Sequence, residues 1–501
     1  MTAHIDLDGP LEPPPSRPRP RRRFGLYALG LALAVTAIVV TVQRTDGPPE
    51  KPGRFDVAPA WETTLPVELG EALAARVVGG TVLLATTQGL SGYDRATGAE
   101  KWRTRLDEHL AWDRPAPRTR EVAWRHVRIG ADAVVIPYHL APDASAPRDY
   151  FEVRDLHTGA LRHTITPGGG GGGRWREAAV MPDRLITYAC EEAHCTVVAY
   201  SLADGAELWR DRRDAVPQFP VTTSASHQPV AVRNPGPVVP DPLTRGVIVW
   251  SEPADEKGTT LVFTTSDLGT GGEMGTWTAP RPGAAMPFYR DIGGNLVDVS
   301  TANVLRGVNP VDGTDLWTRA TLTDLDAGFT DAADPRELEE PPSLVAGRLL
   351  DTSGHDSRTA PGSYQLIDLR TGEIAATPAA AGNRIISVAD AIAIGLDPAK
   401  GELTAVAFGD SLVWNAPLRP DGWTQAGLEP SGFLTSGGWF ALAGELGFGQ
   451  DAEQRLWYVE LGTGAIGAIP AAELLGLDDG AMVTADTTGR RTVALRELGV
   501  R

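Results

Sequence analysis

Hydrophobic positions fall into two regimes along the chain. Residues 24–42 (FGLYALGLALAVTAIVVTV) form one apolar run of nineteen residues without a charge. At about 1.5 Å rise per residue, a helix of that length spans about 28 Å, enough to cross a bilayer's hydrocarbon core. Beyond residue 60 the pattern changes. Short runs of β-branched, apolar and aromatic residues alternate with clusters of Gly, Asp, Thr and Pro. This pattern predicts strands joined by tight turns, hence an all-β region after a single helix.

The charges around the apolar run orient it. Arg17, Arg19, Arg21, Arg22 and Arg23 precede it, whereas Arg44 is followed by Asp46 and Glu50. The positive-inside rule then puts the N-terminus in the cytoplasm and the long remainder outside. A cleaved signal peptide competes with this reading, but no Ala-x-Ala follows the run. Arg22-Arg23-Phe24 also fits a twin-arginine export signal loosely. The expected organisation is a disordered Pro/Arg tail (1–23), a transmembrane helix (24–43), a Pro-rich linker (44–59) and an ectodomain (60–501). The expected location is the cell membrane, single-pass, with the β region extracellular.

A phrase repeats through the ectodomain. Its clearest copy is 77–103 (VVGGTVLLATTQGLSGYDRATGAEKWR). It predicts a strand at Thr81–Thr86, a strand at Gly89–Asp94, a turn at Ala96-Thr97-Gly98 and a strand at 99–103. Copies recur at 150–164, 197–210, 304–318, 364–375 and 457–466, with weaker ones at 260–278 and 403–415. The turn dipeptides are Thr97-Gly98, Thr158-Gly159, Asp204-Gly205, Asp312-Gly313, Thr371-Gly372 and Thr463-Gly464. Gly suits the positive φ of such turns. Asp94, Asp155 and Asp368 stand three residues before the Thr and can accept bonds from turn amides. Trp102, Trp209, Trp277, Trp317 and Trp414 close the phrase, which points to packing between neighbouring sheets. Elsewhere the slot holds smaller residues, near His163 and Ala375.

The phrases 92–102 (GYDRATGAEKW) and 198–209 (VAYSLADGAELW) resemble the repeat of the pyrroloquinoline-quinone-type β-propellers, the quinoprotein alcohol dehydrogenase-like superfamily. That repeat reads apolar-Tyr-Ala-Leu-Asp, two residues, Thr-Gly, two residues, Leu-Trp. The resemblance covers most of 60–500 and implies a β-propeller of four-stranded blades. Eight turn phrases lie between residues 81 and 468. The hairpin at 481–498 lacks a following strand, and the strand at 60–65, with Trp61 in the Trp slot, lacks a sheet. Joining the two would close the ring. The literal count is then nine. The superfamily's usual sizes favour eight, with seven or nine as alternatives, one weak copy being an insertion. The Pro-rich span 211–243 is where an insertion would sit.

Composition narrows the function classes. Lys plus Arg is 46 against 64 Asp plus Glu, a net charge of −18. Residues 1–43 carry a net +2, which leaves −20 for the rest. Nucleic acid as a partner needs a basic face and is not expected. The only Lys are Lys51, Lys101, Lys257 and Lys400, an Arg bias that suggests a GC-rich genome, and the expected source is actinobacterial.

The two cysteines, Cys190 and Cys195, enclose Glu-Glu-Ala-His between two predicted strands. A four-residue hairpin loop would bring them face to face as a structural disulfide, worth about 2 kcal/mol for so short a loop. Metal binding with His194 is the weaker reading, because it needs a fourth ligand. The glycines at 168–173 are followed by Arg174-Trp175, not by Lys-Ser/Thr, so they predict a loop and not a phosphate cradle. Asp324, Asp326, Asp331 and Asp334 faintly resemble a calcium loop, but Pro335 occupies its twelfth position. The nine histidines, among them His139, His157 and His227, show no ligand spacing. No catalytic, cofactor-binding or metal-ligating set emerges.

Three functional readings stand. The first is a membrane-tethered, monomeric, non-enzymatic propeller that binds a protein or small ligand. The resemblance includes non-enzymatic members that use the repeat as an interaction platform. The second is a quinone-dependent dehydrogenase with calcium. The superfamily's enzymes stack the quinone on a Trp below a vicinal Cys–Cys disulfide, and here four residues separate the cysteines. Trp250 and Trp439 are candidate stacking residues. The third is a sensor ectodomain acting through the Arg/Pro tail.

Overall fold

The computed structural model describes residues 56–105, 127–139, 149–168, 175–191, 194–220, 245–255, 259–280, 289–292, 294–301, 304–321, 343–345, 348–353, 363–376, 384–389, 392–397, 400–407, 412–418, 428–436, 438–446, 453–478 and 480–498. The expected transmembrane helix at 24–43, the tail and most of the linker lie outside these residues. Among the described residues no helix is long and apolar enough to cross a membrane.

The described strands form nine antiparallel four-stranded sheets, each built from strands consecutive in the chain except where the termini meet. Blades 1 to 9 span 72–105, 128–165, 176–213, 216–280, 289–320, 343–376, 384–417, 428–470 and 472–497. Blade 9 receives its fourth strand from Trp61–Thr64, which pairs antiparallel with Thr492–Glu497 in the register Trp61↔Leu495 to Thr64↔Thr492. The first described strand thus completes the last sheet and pairs the edge of Thr492–Glu497.

The favoured count of eight is corrected to nine. Neither weak copy is an insertion: 260–278 lies in blade 4 and 403–415 in blade 7, each in a complete sheet. Strands also occupy the suspected insertion at its start, with Glu207–Arg213 in blade 3 and Val216–Gln218 in blade 4. Residues 221–244 lie outside the described set.

Hydrophobicity orders blade 1 from inside to outside. In blade 1 the strand Ala72–Val78 is an edge strand of its sheet yet is mostly buried, while Glu100–Arg105 at the other edge exposes its charged residues. Ala72–Val78 is covered by the first strand of blade 9, Ala472–Asp478. A Cβ on Gly476 would lie 2.3 Å from the carbonyl oxygen of Ala75, so the two inner strands need a glycine to meet. Apolar clusters fill the seams between blades. Trp61, Val82, Tyr93, Val483 and Leu495 join blades 9 and 1. Leu83, Trp102, Val134 and Ile136 join blades 1 and 2. Trp414, Phe440, Leu442 and Trp457 join blades 7 and 8. Sheets packed face to face in chain order, with the last completed by the first strand, make a β-propeller.

Candidate functional site

The repeated turn joins the third and fourth strands of a blade. Asp94 Oδ1 accepts bonds from the backbone N–H of Ala96 (3.1 Å) and Thr97 (3.0 Å) and from Thr97 Oγ1 (3.0 Å). Asp155 does the same with His157, Thr158 and the Thr158 hydroxyl. Asp368 accepts from Arg370 and Thr371. Asp204 and Asp312 sit directly before the glycine instead and accept from the amides of Ala206 and Thr314. The sequence pattern had not placed blade 4 in this group. There Asp267 accepts from Thr270 N (2.7 Å) and Thr270 Oγ1 (2.9 Å).

These bonds favour the ionised carboxyls. Lys101, then Thr97, hold Asp94 below the usual carboxylate range. Arg162, 2.6 Å from Asp155 Oδ2, holds Asp155 far below it. Ser201 lowers Asp204, and Thr314 lowers Asp312.

Gly98, Gly159, Gly205, Gly313, Gly372 and Gly464 all have φ between 66° and 73°. Each also touches an aromatic ring of the preceding blade. A Cβ on Gly98 would lie 2.6 Å from the Trp61 ring, on Gly159 2.5 Å from Trp102, and on Gly205 2.8 Å from His163. Gly271 meets Trp209, Gly313 meets Trp277, Gly372 meets Trp317 and Gly464 meets Trp414. The indole N–H then bonds the same turn. Trp61 donates to Arg95 O (2.9 Å), Trp102 to Leu156 O (3.0 Å), Trp209 to Gly269 O (3.0 Å) and Trp414 to Leu461 O (2.8 Å). Trp277 departs from this pattern. Pro310 O in its turn accepts from the Thr265 hydroxyl instead, and Tyr289 stands edge-on to the Trp277 ring.

A β-bulge before the turn aims the Trp. The register slips between Gly92 and Tyr93, between Ala199 and Tyr200, and between Gly307 and Val308. Gly92 and Gly307 lie under the rings of Trp102 and Trp317 in their own blades. Nothing in the spacing signalled this bulge.

Cys190 and Cys195 are bonded, with Cα atoms 4.0 Å apart. The strands pair through Glu191↔His194, so only two residues lie between them. The expected four-residue loop is corrected to that shorter connection, because pairing continues beyond the cysteines. Near the bridge, His194 meets Asp214. Arg213 stands 5.4 Å from the Trp250 ring centroid and pairs with Asp211 (2.8 Å) and Glu273 (3.3 Å). The Trp250 N–H bonds Ser266 Oγ at 3.2 Å.

Two buried acids that link neighbouring blades were not singled out by the sequence pattern. Asp478 in blade 9 accepts from Val77 N (3.1 Å) and forms an ion pair with Arg76 (3.0 Å to Nε), both in blade 1. Asp291 in blade 5 accepts from Val247 N (2.7 Å) in blade 4 and from Gly294 N (2.8 Å), and burial pushes its carboxyl up. Both tie neighbouring blades. An Asp two or three residues before a hairpin Gly was the available signal.

The remaining candidates divide as follows. His157 Nδ1 bonds the Thr81 hydroxyl at 2.9 Å. Residues 169–174, the acidic loop from Asp324 to Pro335, and His4, His109, His126, His227 and His355 lie outside the described residues. Among the described residues no group of three His, Cys, Asp or Glu is placed to hold a metal ion. Trp250 and Trp439 are buried within the blades. With the cysteines non-adjacent and both tryptophans covered, these residues do not fit a stacked quinone. The outer strands, in contrast, expose single apolar side chains: Leu161, Leu208, Leu316, Ile374 and Leu412.

No family model and no curated protein matches the chain. Solved structures similar to it include BamB from Moraxella catarrhalis, at 13% identity over 88% of this chain and 100% of that one, TM-score 0.39. A eukaryotic initiation factor gives 9% identity over 85% and 93%, TM-score 0.43. The quinohemoprotein alcohol dehydrogenase from Comamonas testosteroni gives 12% identity over 89% and 77%, TM-score 0.37. None of the three exceeds 0.43, and the fold assignment rests on the sheet order and seams described above.

Proposed function

We propose that the chain is a membrane-tethered binding or scaffolding propeller, its β region extracytoplasmic, that recognises a protein partner through the rim and loops of a rigid ring. One observation carries this reading. The repeat's polar and aromatic residues are already engaged within the fold, with Asp155 in its own turn and Trp102 in the next blade's turn. What is left for recognition is surface, which suits binding on a fixed scaffold. Charged outer strands such as Glu207–Arg213 oppose edge-to-edge aggregation, and their isolated leucines leave room for a specific contact. The protein acts as a monomer without a resident cofactor.

The test is site-specific photo-crosslinking in the source cell. A photoreactive side chain replaces Leu208, Leu316 or Leu412, and the buried Val135 serves as control. The reading expects a discrete adduct from at least one rim position and none from Val135. Absence of adducts from all rim positions would sink it.

A further inference from the structure

We propose that the Cys190–Cys195 bridge is a reversible thiol–disulfide exchange site, opened with the fold intact by a dithiol that attacks Cys190 and closed again by the same exchange in reverse, with the disulfide form of that dithiol as oxidant. The bridge lies between directly paired residues of two antiparallel strands. The ladder continues on both sides of it, through Ala189↔Thr196 and Glu191↔His194. The register therefore does not depend on the covalent bond. The bond can open in the native state.

The two cysteines differ in exposure. Cys190 is exposed, whereas Cys195 is 1% exposed and packs with Ala179, Ile186 and Trp250 between blades 3 and 4. An attacking thiolate must reach the sulfur it attacks, and the other sulfur leaves. Access assigns attack to Cys190 and departure to Cys195. In the first step a thiolate of the dithiol bonds Cys190 Sγ. The Cys190–Cys195 bond breaks, and Cys195 leaves as a thiolate that takes up a proton. In the second step the dithiol's other thiol, having lost its proton, attacks its own mixed-disulfide sulfur and releases Cys190 as a thiol. The dithiol is oxidised to a disulfide, and the protein gains two electrons and two protons.

The geometry also selects a dithiol over a monothiol. A monothiol leaves a mixed disulfide on Cys190 with Cys195 directly opposite, Cα atoms 4.0 Å apart. Cys195 then attacks back at high effective concentration and restores the bridge. A dithiol completes the reduction within its own molecule before this return.

The test uses the full chain under native conditions. Dithiothreitol is added, free thiols are pulse-alkylated with light iodoacetamide, and the protein is unfolded and alkylated with the heavy reagent. The expected result is light label on Cys190, heavy label on Cys195 and an unchanged circular dichroism spectrum. 2-Mercaptoethanol at equal thiol concentration is expected to leave the bridge closed. A second arm uses Cys195→Ala and Cys190→Ala with Ellman's reagent. Cys190 in the first variant should react at least about tenfold faster than Cys195 in the second, as exposure controls access to the thiol. The proposal fails if the bridge resists dithiothreitol until the protein unfolds. It also fails if Cys195 takes the light label, or if the monothiol reduces the bridge equally well.

Discussion

The indole of Trp102 occupies the space that a side chain at Gly159 would need, and its N–H bonds the carbonyl of Leu156 in the same turn. One blade's last strand thereby seats the next blade's turn. Gly159→Ala meets two penalties: a left-handed φ of 66° and a Cβ 2.5 Å from the ring. The backbone alone costs about 1–2 kcal/mol. Trp102→Ala should cost about 3–5 kcal/mol, the range for truncating a large buried aromatic. The losses should not add in the double variant, because both act on one contact. Apparent midpoints of denaturant unfolding, with the double-variant cycle, check this.

Ring closure depends on the strand Trp61–Thr64. Deleting 57–65 bares the edge of Thr492–Glu497 and removes the Trp61 indole from the turn at Gly98. The expected outcome is a lower melting temperature and higher-order association on size exclusion, since an unpaired edge recruits other strands. Deletion of residues 1–43 alone should leave the melting temperature unchanged.

The seam between blades 2 and 3 carries His163 where the neighbouring seams carry Trp. Burial pushes its pKa below the usual 6.5, and Arg162 adds to this while Asp204 opposes it. The folded state therefore favours neutral imidazole. Its contribution to stability is fully present above the unfolded value near 6.5. It is lost as pH falls from there through the lowered folded value. Melting temperature measured against pH should show this loss in the wild type, and His163→Phe should remove it. An identical pH profile in the variant would contradict the assignment.

Asp155 accepts from the turn on one oxygen and from Arg162 on the other. Its carboxyl titrates below the usual 3.8, so its contribution is present above that pH and is lost as pH falls below it. Asp155→Ala should cost about 1–2 kcal/mol near neutral pH through lost turn bonds, and should flatten the acid limb of the melting curve.

The strands, the turns and the Trp slots were legible in the chain because the phrase is periodic. The pairing of Trp61–Thr64 with the C-terminal hairpin was legible for the same reason. The blade count was not. In blade 4, Asp267, Thr270 and Gly271 keep the turn, but Trp277 falls two residues later than Trp102 does after Gly98, so the copy looked degenerate. The partner of each glycine was also hidden, because it belongs to the preceding blade and lies 37 to 57 residues upstream in the contacts of Gly98, Gly159 and Gly372. The cluster of Arg213, Trp250, Asp211 and Ser266 spans two blades and has no local pattern. Of a binding surface, the sequence offered only charge and exposure.

The most direct measurement is an absorbance spectrum and native mass of the purified protein, before and after adding pyrroloquinoline quinone with calcium. A binding propeller whose Trp250 and Trp439 are covered should stay colourless and keep its mass. A bound chromophore with a stoichiometric mass increase would contradict that account and place a quinone enzyme in its stead.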